Sequence, residues 1–212
     1  MKTKIVSGVI MNEEKKRILQ FTHAKFMKEG FYKVSMDELA SELRMSKKTI
    51  YKHFSSKEEL VEAGVDMFLK EIKQNVDNIF SAESNAIMKL INFLIFIGQT
   101  FSKASEKAIM ELQKYMPHIW KKIDEFRTSL ITRNFTALIN QGKEEGLFID
   151  KPTEIILTVY ISSIRAIVNP EFLINNKFTP KQAFEYTFDI LLNGVSTSKG
   201  KKVFTNIISR ID

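Results

Sequence analysis

The chain contains no cysteine. That removes disulfide frameworks, thiolate zinc sites, iron–sulfur ligation and thiol nucleophiles, and it fits a reducing cytoplasm. Glycine and proline are scarce, at 8 and 4 of 212 residues, roughly half of their usual ~12% share. A sandwich or barrel needs many such residues in its turns, so the shortage excludes an all-β fold. No hydrophobic run approaches the ~20 residues that span a bilayer. The most apolar stretch, 87–97, is interrupted by Lys89 and Asn92. The apolar part of residues 1–11 is too short and too broken for the core of a secretory signal, so a soluble, cytoplasmic chain with no membrane partner is expected. His23, His53 and His118 are scattered, with no second histidine at i, i+4 and no paired carboxylate. No metal site and no cofactor are expected from them. There is no glycine-rich phosphate loop and no nucleophile elbow, and no carboxylate spacing demands catalysis.

What remains is 44% hydrophobic and 27% charged, a soluble globular composition long enough for one large or two small domains. The net charge is +7. Residues 1–60 hold 13 basic and 8 acidic side chains, an excess of 5, whereas the other 152 residues hold 19 and 17, an excess of 2. Arg44, Lys47, Lys48, Lys52 and Lys57 follow one another without an acidic residue between them. Such a patch attracts phosphate backbones or anionic lipid, or it is simply a solvated helix face.

Helical periodicity dominates. Residues 12–29 predict a first helix, capped by Asn12, with Ile18, Phe21, Thr22 and Phe26 on one face and Gly30 as its stop. Ser35 to Glu38 reads as a capping box that opens a short helix to Leu43. Ser46 caps a third helix, 47–53, anchored by Ile50 and Phe54. Ser56 to Glu59 reads as another capping box, opening a long helix over 57–80. Further helices are predicted at 83–103, 106–114, 118–145, 153–168 and 180–194, the last opened by Thr179–Pro180–Lys181–Gln182. The total is about nine helices and no strand. The expected organisation is a tail over 1–11, a unit of short helices over 12–56 and a helical body over 57–212.

Two short helices separated by Arg44–Met45 have the layout of a helix-turn-helix, whose second helix enters the major groove. Seven residues make a helix of ~10 Å, and a groove ~12 Å wide admits one. With Ile50 and Phe54 inward, Lys47, Lys48, Tyr51 and Lys52 face outward, and the amides behind Ser46 can meet a phosphate. At this point Tyr51 has two readings, a groove-facing side chain or a packed core aromatic.

These residues resemble the DNA-binding domain of TetR-family transcriptional regulators. The resemblance rests on Gly30-Phe31-Tyr32-Lys33-Val34-Ser35-Met36, on Leu39–Ala40, and on the run from Ser46 to Leu60, SKKTIYKHFSSKEEL. Three family features are matched: a hydroxyl residue entering helix 2, T-[IL]-Y-x-[HY]-F in helix 3 and K-[ED]-x-L opening helix 4. The match covers residues 12–62. It implies an all-α fold, an N-terminal three-helix DNA-binding domain followed by a larger helical ligand-sensing and dimerisation domain. It also implies that Lys47, Lys48 and Tyr51 face DNA, and that Ser35, Thr49, Tyr51, His53 and Lys57 are backbone-contact candidates. One position departs from the pattern. Arg44 stands where the turn usually has glycine, at a cost of ~1 kcal/mol for a left-handed side chain, and adds a possible phosphate contact.

Thirteen of the 17 phenylalanines lie after residue 60. A shell of large apolar side chains encloses a cavity or packs solid; the resemblance favours a ligand pocket. Met88, Phe96, Met110, Trp120, Phe126, Phe135 and Tyr160 are the expected lining. Arg165, in an apolar segment, is read either as the partner of a ligand anion or as a surface or subunit-contact residue. In 153–168, Ile155, Val159 and Ala166 lie on one side, and Ile156, Tyr160 and Ile167 on another. Two apolar faces suggest packing on the core and on a partner. With 180–194 this pair matches the family's dimer interface. A homodimer would read a palindromic operator on double-stranded DNA. The expected function is a regulator, released by an apolar small-molecule effector; the alternatives are a DNA-binding protein controlled by a protein partner, and an enzyme or carrier with an apolar cavity.

Overall fold

The computed structural model describes residues 13–101 and 105–208. The expectations for the tail, for the Asn12 cap and for positions 102–104 and 209–212 lie outside the described residues. Eleven helices follow in order: α1 (Glu13–Glu29), α2 (Met36–Leu43), α3 (Lys47–His53), α4 (Lys57–Ser81), α5 (Ala86–Phe101), α6 (Glu106–Tyr115), α7 (Pro117–Glu144), α8 (Thr153–Ile167), α9 (Pro170–Asn176), α10 (Pro180–Val195) and α11 (Ser198–Ile208). The fold is all-α; an isolated bridge between Phe148 and Ser196 is the β pairing among the described residues.

Two helices exceed the nine expected. Asn169 caps α9, its side chain accepting from the Glu171 amide at 2.9 Å, and Pro170 sits at the first helical position. A seven-residue helix shows too few turns for its periodicity to stand out. For α11, Thr197 accepts from the Gly200 amide at 3.1 Å. Gly200 packs so closely on the Leu147 carbonyl that a Cβ would overlap its oxygen. Val203, Phe204 and Ile207 then lie against the body core.

The caps form largely as the sequence implies. Ser35 and Glu38 make a reciprocal capping box, as do Thr179 and Gln182. Ser56 accepts from the Glu59 amide at 3.0 Å, but the Glu59 carboxylate turns to the amide and hydroxyl of Ser55, both at 2.6 Å. That end is therefore capped one residue wider than a capping box.

Two hydrophobic cores result. The first is built on Ile18, Leu39, Leu43, Ile50, Phe54 and Leu60, and it also takes Val65 and Leu69 of α4 with Met116, just before α7, and Ile119 of α7. The second gathers Phe93, Phe135, Tyr160, Phe184 and Phe188 from α5, α7, α8 and α10, with Val76 of α4 at its edge. The division between cores thus falls within α4, between Leu69 and Val76, not at its start. A 25-residue helix spans ~37 Å, enough to belong to both.

Candidate nucleic-acid interface and apolar cavity

Helix α3 is positioned from both ends. At its start the Ser46 hydroxyl accepts from the Thr49 amide at 3.0 Å and meets Thr49 Oγ1 at 2.8 Å. Behind it, Ile50 and Phe54 are 0% and 1% exposed. Their burial leaves Lys47, Lys48, Tyr51 and Lys52 on the solvent side. Tyr51 is 42% exposed, which removes the core-aromatic reading. Lys47 Nζ donates to Asp37 Oδ2 of α2 at 2.8 Å, and that bond holds the ammonium above the usual lysine range.

Helices α2 and α3 are set by the turn between them. Arg44 has φ 54° and ψ 44°, the left-handed geometry expected of this position, and its side chain is exposed. Its amide and that of Met45 close α2 onto Ser41 and Ala40 at 3.1 and 2.9 Å. From α1, Arg17 donates to the Leu43 carbonyl at 3.0 Å. Lys25 of α1 meets Glu29, Glu38 and Glu42 at 3.1, 2.9 and 2.8 Å. The hydrogen bonds to Glu38 and Glu42 hold its ammonium well above the usual range.

Three of the other candidates are engaged within the head. Ser35 is occupied as the α2 cap, accepting from Glu38 at 3.1 Å. His53 points to Glu14 of α1 at 2.7 Å and is mostly covered. Lys57 donates to the Tyr32 carbonyl at 3.1 Å, and burial pushes its ammonium down. The partners of His53 and Lys57 lie many residues away, so spacing within the motif could not reveal them.

The body holds a cavity of about 180 Å³. Its wall draws on α1 (His23, Met27), α4 (Val65 to Ile72), α5 (Phe93, Ile97, Thr100), α6 (Ala108, Ile109, Leu112), α7 (Trp120 to Ile131), α8 (Ile164, Val168) and α10 (Phe184, Phe188). Of the expected lining residues, Trp120 and Phe126 are in this wall. Phe135 and Tyr160 instead fill the aromatic core, with Phe135 6.1 Å from Tyr160 and 5.1 Å from Phe93 by ring centroids. Burial pushes the Tyr160 phenol up. Phe96 and Met88 are half-buried away from the wall, and Met110 is exposed. Arg165 is exposed and binds Asp124 at 2.9 Å and Thr128 at 2.9 Å, on the outer side of α7. Burial alone would raise Asp124, but hydrogen bonds from Arg165 and Arg127 hold its carboxyl below the usual range.

Sequence reasoning missed His23 and Met27. They sit at i, i+4 beside the apolar face of α1, and that spacing was the available signal. His23 stacks on Phe68 with centroids 4.8 Å apart and packs over Gly64.

Helix α6 touches both the cavity and the head. Ala108 and Leu112 line the cavity. On the other side, the buried Glu111 carboxylate accepts from the Tyr32 amide at 2.7 Å. Gly30, at φ +78°, leaves room for it: a Cβ there would overlap the carboxylate. Tyr32 stacks on Tyr115 at 4.4 Å, and the Ser105 amide donates to the Met27 carbonyl at 2.8 Å.

Comparison with known proteins agrees with this geometry. The family model of bacterial regulatory proteins, tetR family, matches residues 18–63. An uncharacterized HTH-type transcriptional regulator, YvaF of Bacillus subtilis, is 32% identical over 188 residues, covering 87% of this chain and 96% of that protein. The chain belongs to the TetR family of transcriptional regulators. Solved TetR-like structures share its fold. A transcriptional regulator from Cytophaga hutchinsonii matches with TM-score 0.70 and 16% identity, over 88% of this chain and all of that one (100%). The fatty acid degradation regulator FadR of Bacillus halodurans matches with TM-score 0.63 and 15% identity, over 87% and 97%. TetR-family regulators bind DNA and form dimers, and they are not enzymes. No helix among the described residues is long and apolar enough to cross a membrane. In this TetR-family chain, α8 and α10 leave Ile155, Val159, Tyr186 and Ile190 exposed, Ile190 by 69%, while Ile156, Tyr160, Phe184 and Phe188 face the core.

Proposed function

We propose that this TetR-family protein is a homodimeric repressor that occupies a palindromic operator and leaves it when a small apolar molecule fills the cavity. The observation that carries the reading is the α3 row. Lys47, Lys48, Tyr51 and Lys52 stand outward on a helix whose back is fully buried, so their positions are fixed before DNA arrives. Lys47 and Lys48 donate to G O6/N7 or to phosphate, and Tyr51 reaches the groove wall. Arg44, Ser46 and Lys52 border the row and meet the backbone. Ser35, Thr49, His53 and Lys57 hold the shape of the head.

The apolar exposed faces of α8 and α10 supply the dimer interface, bringing two α3 helices to successive major grooves. A chromosomal operator places this work in the cytoplasm. Release follows from the shared walls. The cavity touches α1 and α6, the helices that hold the head in place, so an occupant acts on the head directly. A ligand that prefers one conformation by ~1–3 kcal/mol changes operator affinity ~5–150-fold.

The test starts from genomic fragments retained by the purified protein. Lys47→Ala combined with Tyr51→Ala should remove the preference for those fragments while circular dichroism and sedimentation stay unchanged. Unaltered selectivity would overturn the assignment of α3. Affinity of the native protein should also fall steeply with salt, because several phosphates are neutralised per dimer.

A further inference from the structure

The cavity wall offers few polar groups. Among the described residues, His23, Thr100, Trp120 and Arg127 carry them. The Thr100 hydroxyl is donated to the Phe96 carbonyl at 2.8 Å. The Arg127 guanidinium turns out of the cavity to Asp124, a carboxylate that it shares with Arg165. Trp120 has one indole N–H, a donor alone. His23 makes no hydrogen bond among the described residues; its ring lies on Phe68, beside Gly64. Burial lowers its pKa, so the ring is neutral and offers one N–H and one lone pair.

We propose that the cavity takes an uncharged, largely hydrocarbon ligand with a single hydroxyl or carbonyl group, and that His23 selects it by a hydrogen bond to that group. The inference deepens the ligand-release reading above and rests on it. Size limits the class: at interior packing density, about 180 Å³ holds a molecule of roughly eight to ten non-hydrogen atoms. Charge limits it further. A carboxylate would lose its water, and Arg127, the cation in the wall, is already turned away to Asp124. A pure hydrocarbon would bury the imidazole and leave its donor and acceptor unmatched. The position of His23 joins recognition to release. It stands on α1 between Arg17 and Lys25, which fasten α2 to that helix.

The sole tryptophan, Trp120, lies in the cavity wall, so its fluorescence reports occupancy of the full-length protein. Three probes of one shape separate the cases: p-cresol, p-xylene and p-toluate. p-Cresol should bind more tightly than p-xylene by roughly two- to tenfold, the range of one buried hydrogen bond, and p-toluate should not compete. In His23→Phe, p-xylene should still bind and the preference should vanish or reverse. A preference that survives in His23→Phe, or p-toluate as the tightest probe, overturns the inference. If that variant does not fold, nitrogen NMR of the His23 ring decides: p-cresol should move its resonances, and unmoved resonances at saturation reject the hydrogen bond. Binding of p-xylene without p-cresol removes the role of His23 and leaves the apolar-ligand reading standing. Binding of neither removes that reading, and this inference with it.

Discussion

The head and the body of this regulator bury their side chains to different ends. Around α3, short helices close on a dense core in which Ile18, Leu39, Leu43, Ile50 and Phe54 are almost wholly covered. The body packs an aromatic cluster between long helices and keeps about 180 Å³ beside it unfilled. A groove reader needs atoms at fixed positions, and dense packing supplies them. The sensor proposed for the body needs room that an occupant can take, and it tolerates the weaker dispersion attraction around a void. The two arrangements meet along α1, α4 and α6.

Truncating the dense core should produce the largest effect. Phe54→Ala removes a fully buried ring and should destabilise the protein by about 3–5 kcal/mol, read as a lower denaturant midpoint together with loss of DNA binding. Glu111→Ala acts at the meeting point. It strips the Tyr32 amide of its acceptor and should cost about 1–3 kcal/mol. It should also weaken the link between cavity occupancy and operator affinity, measured as a smaller ligand-induced change in Kd. Glu111→Gln, which keeps an acceptor, should restore much of both.

Arg44→Gly relieves the left-handed turn and should stabilise the head by about 1 kcal/mol, visible as a raised melting temperature, while operator affinity falls. The smallest effect concerns pH. His23 is held below its ordinary value of 6.5 by burial, so the unfolded chain binds the proton first as pH drops. Stability from this residue is intact above about pH 6.5 and lost progressively below it. His23→Phe should flatten that part of the pH profile relative to the native protein, which isolates the residue from the other two histidines.

Much of the head can be read from its residues because its signals are local. Ser35, Ser46 and Ser56 each cap the helix that follows within three residues, and Ile50 and Phe54 fix an inward face by spacing alone. The turn at Arg44 is legible through the family resemblance alone, since arginine departs from the glycine usual there. The cavity is legible only in part because its wall is assembled from seven helices. Trp120 and Phe126 reach it, but Phe135 and Tyr160, equally aromatic and equally apolar in setting, close the core instead. Which side of a long helix meets a void is decided by neighbours far along the chain. The same holds for His53 and Lys57, whose partners Glu14 and Tyr32 belong to other segments.

Lys47 already has an anionic neighbour before any duplex arrives, because Asp37 lies 2.8 Å from its ammonium. In the proposed DNA complex a phosphate has to displace that carboxylate, so random sequence, offering backbone charge alone, gains less from the exchange than its bare cation count suggests, and a site that also rewards Lys48 and Tyr51 recovers the difference. Asp37 is thus a resident competitor whose removal should make the protein stick more readily to DNA of any sequence and search it less discriminatingly.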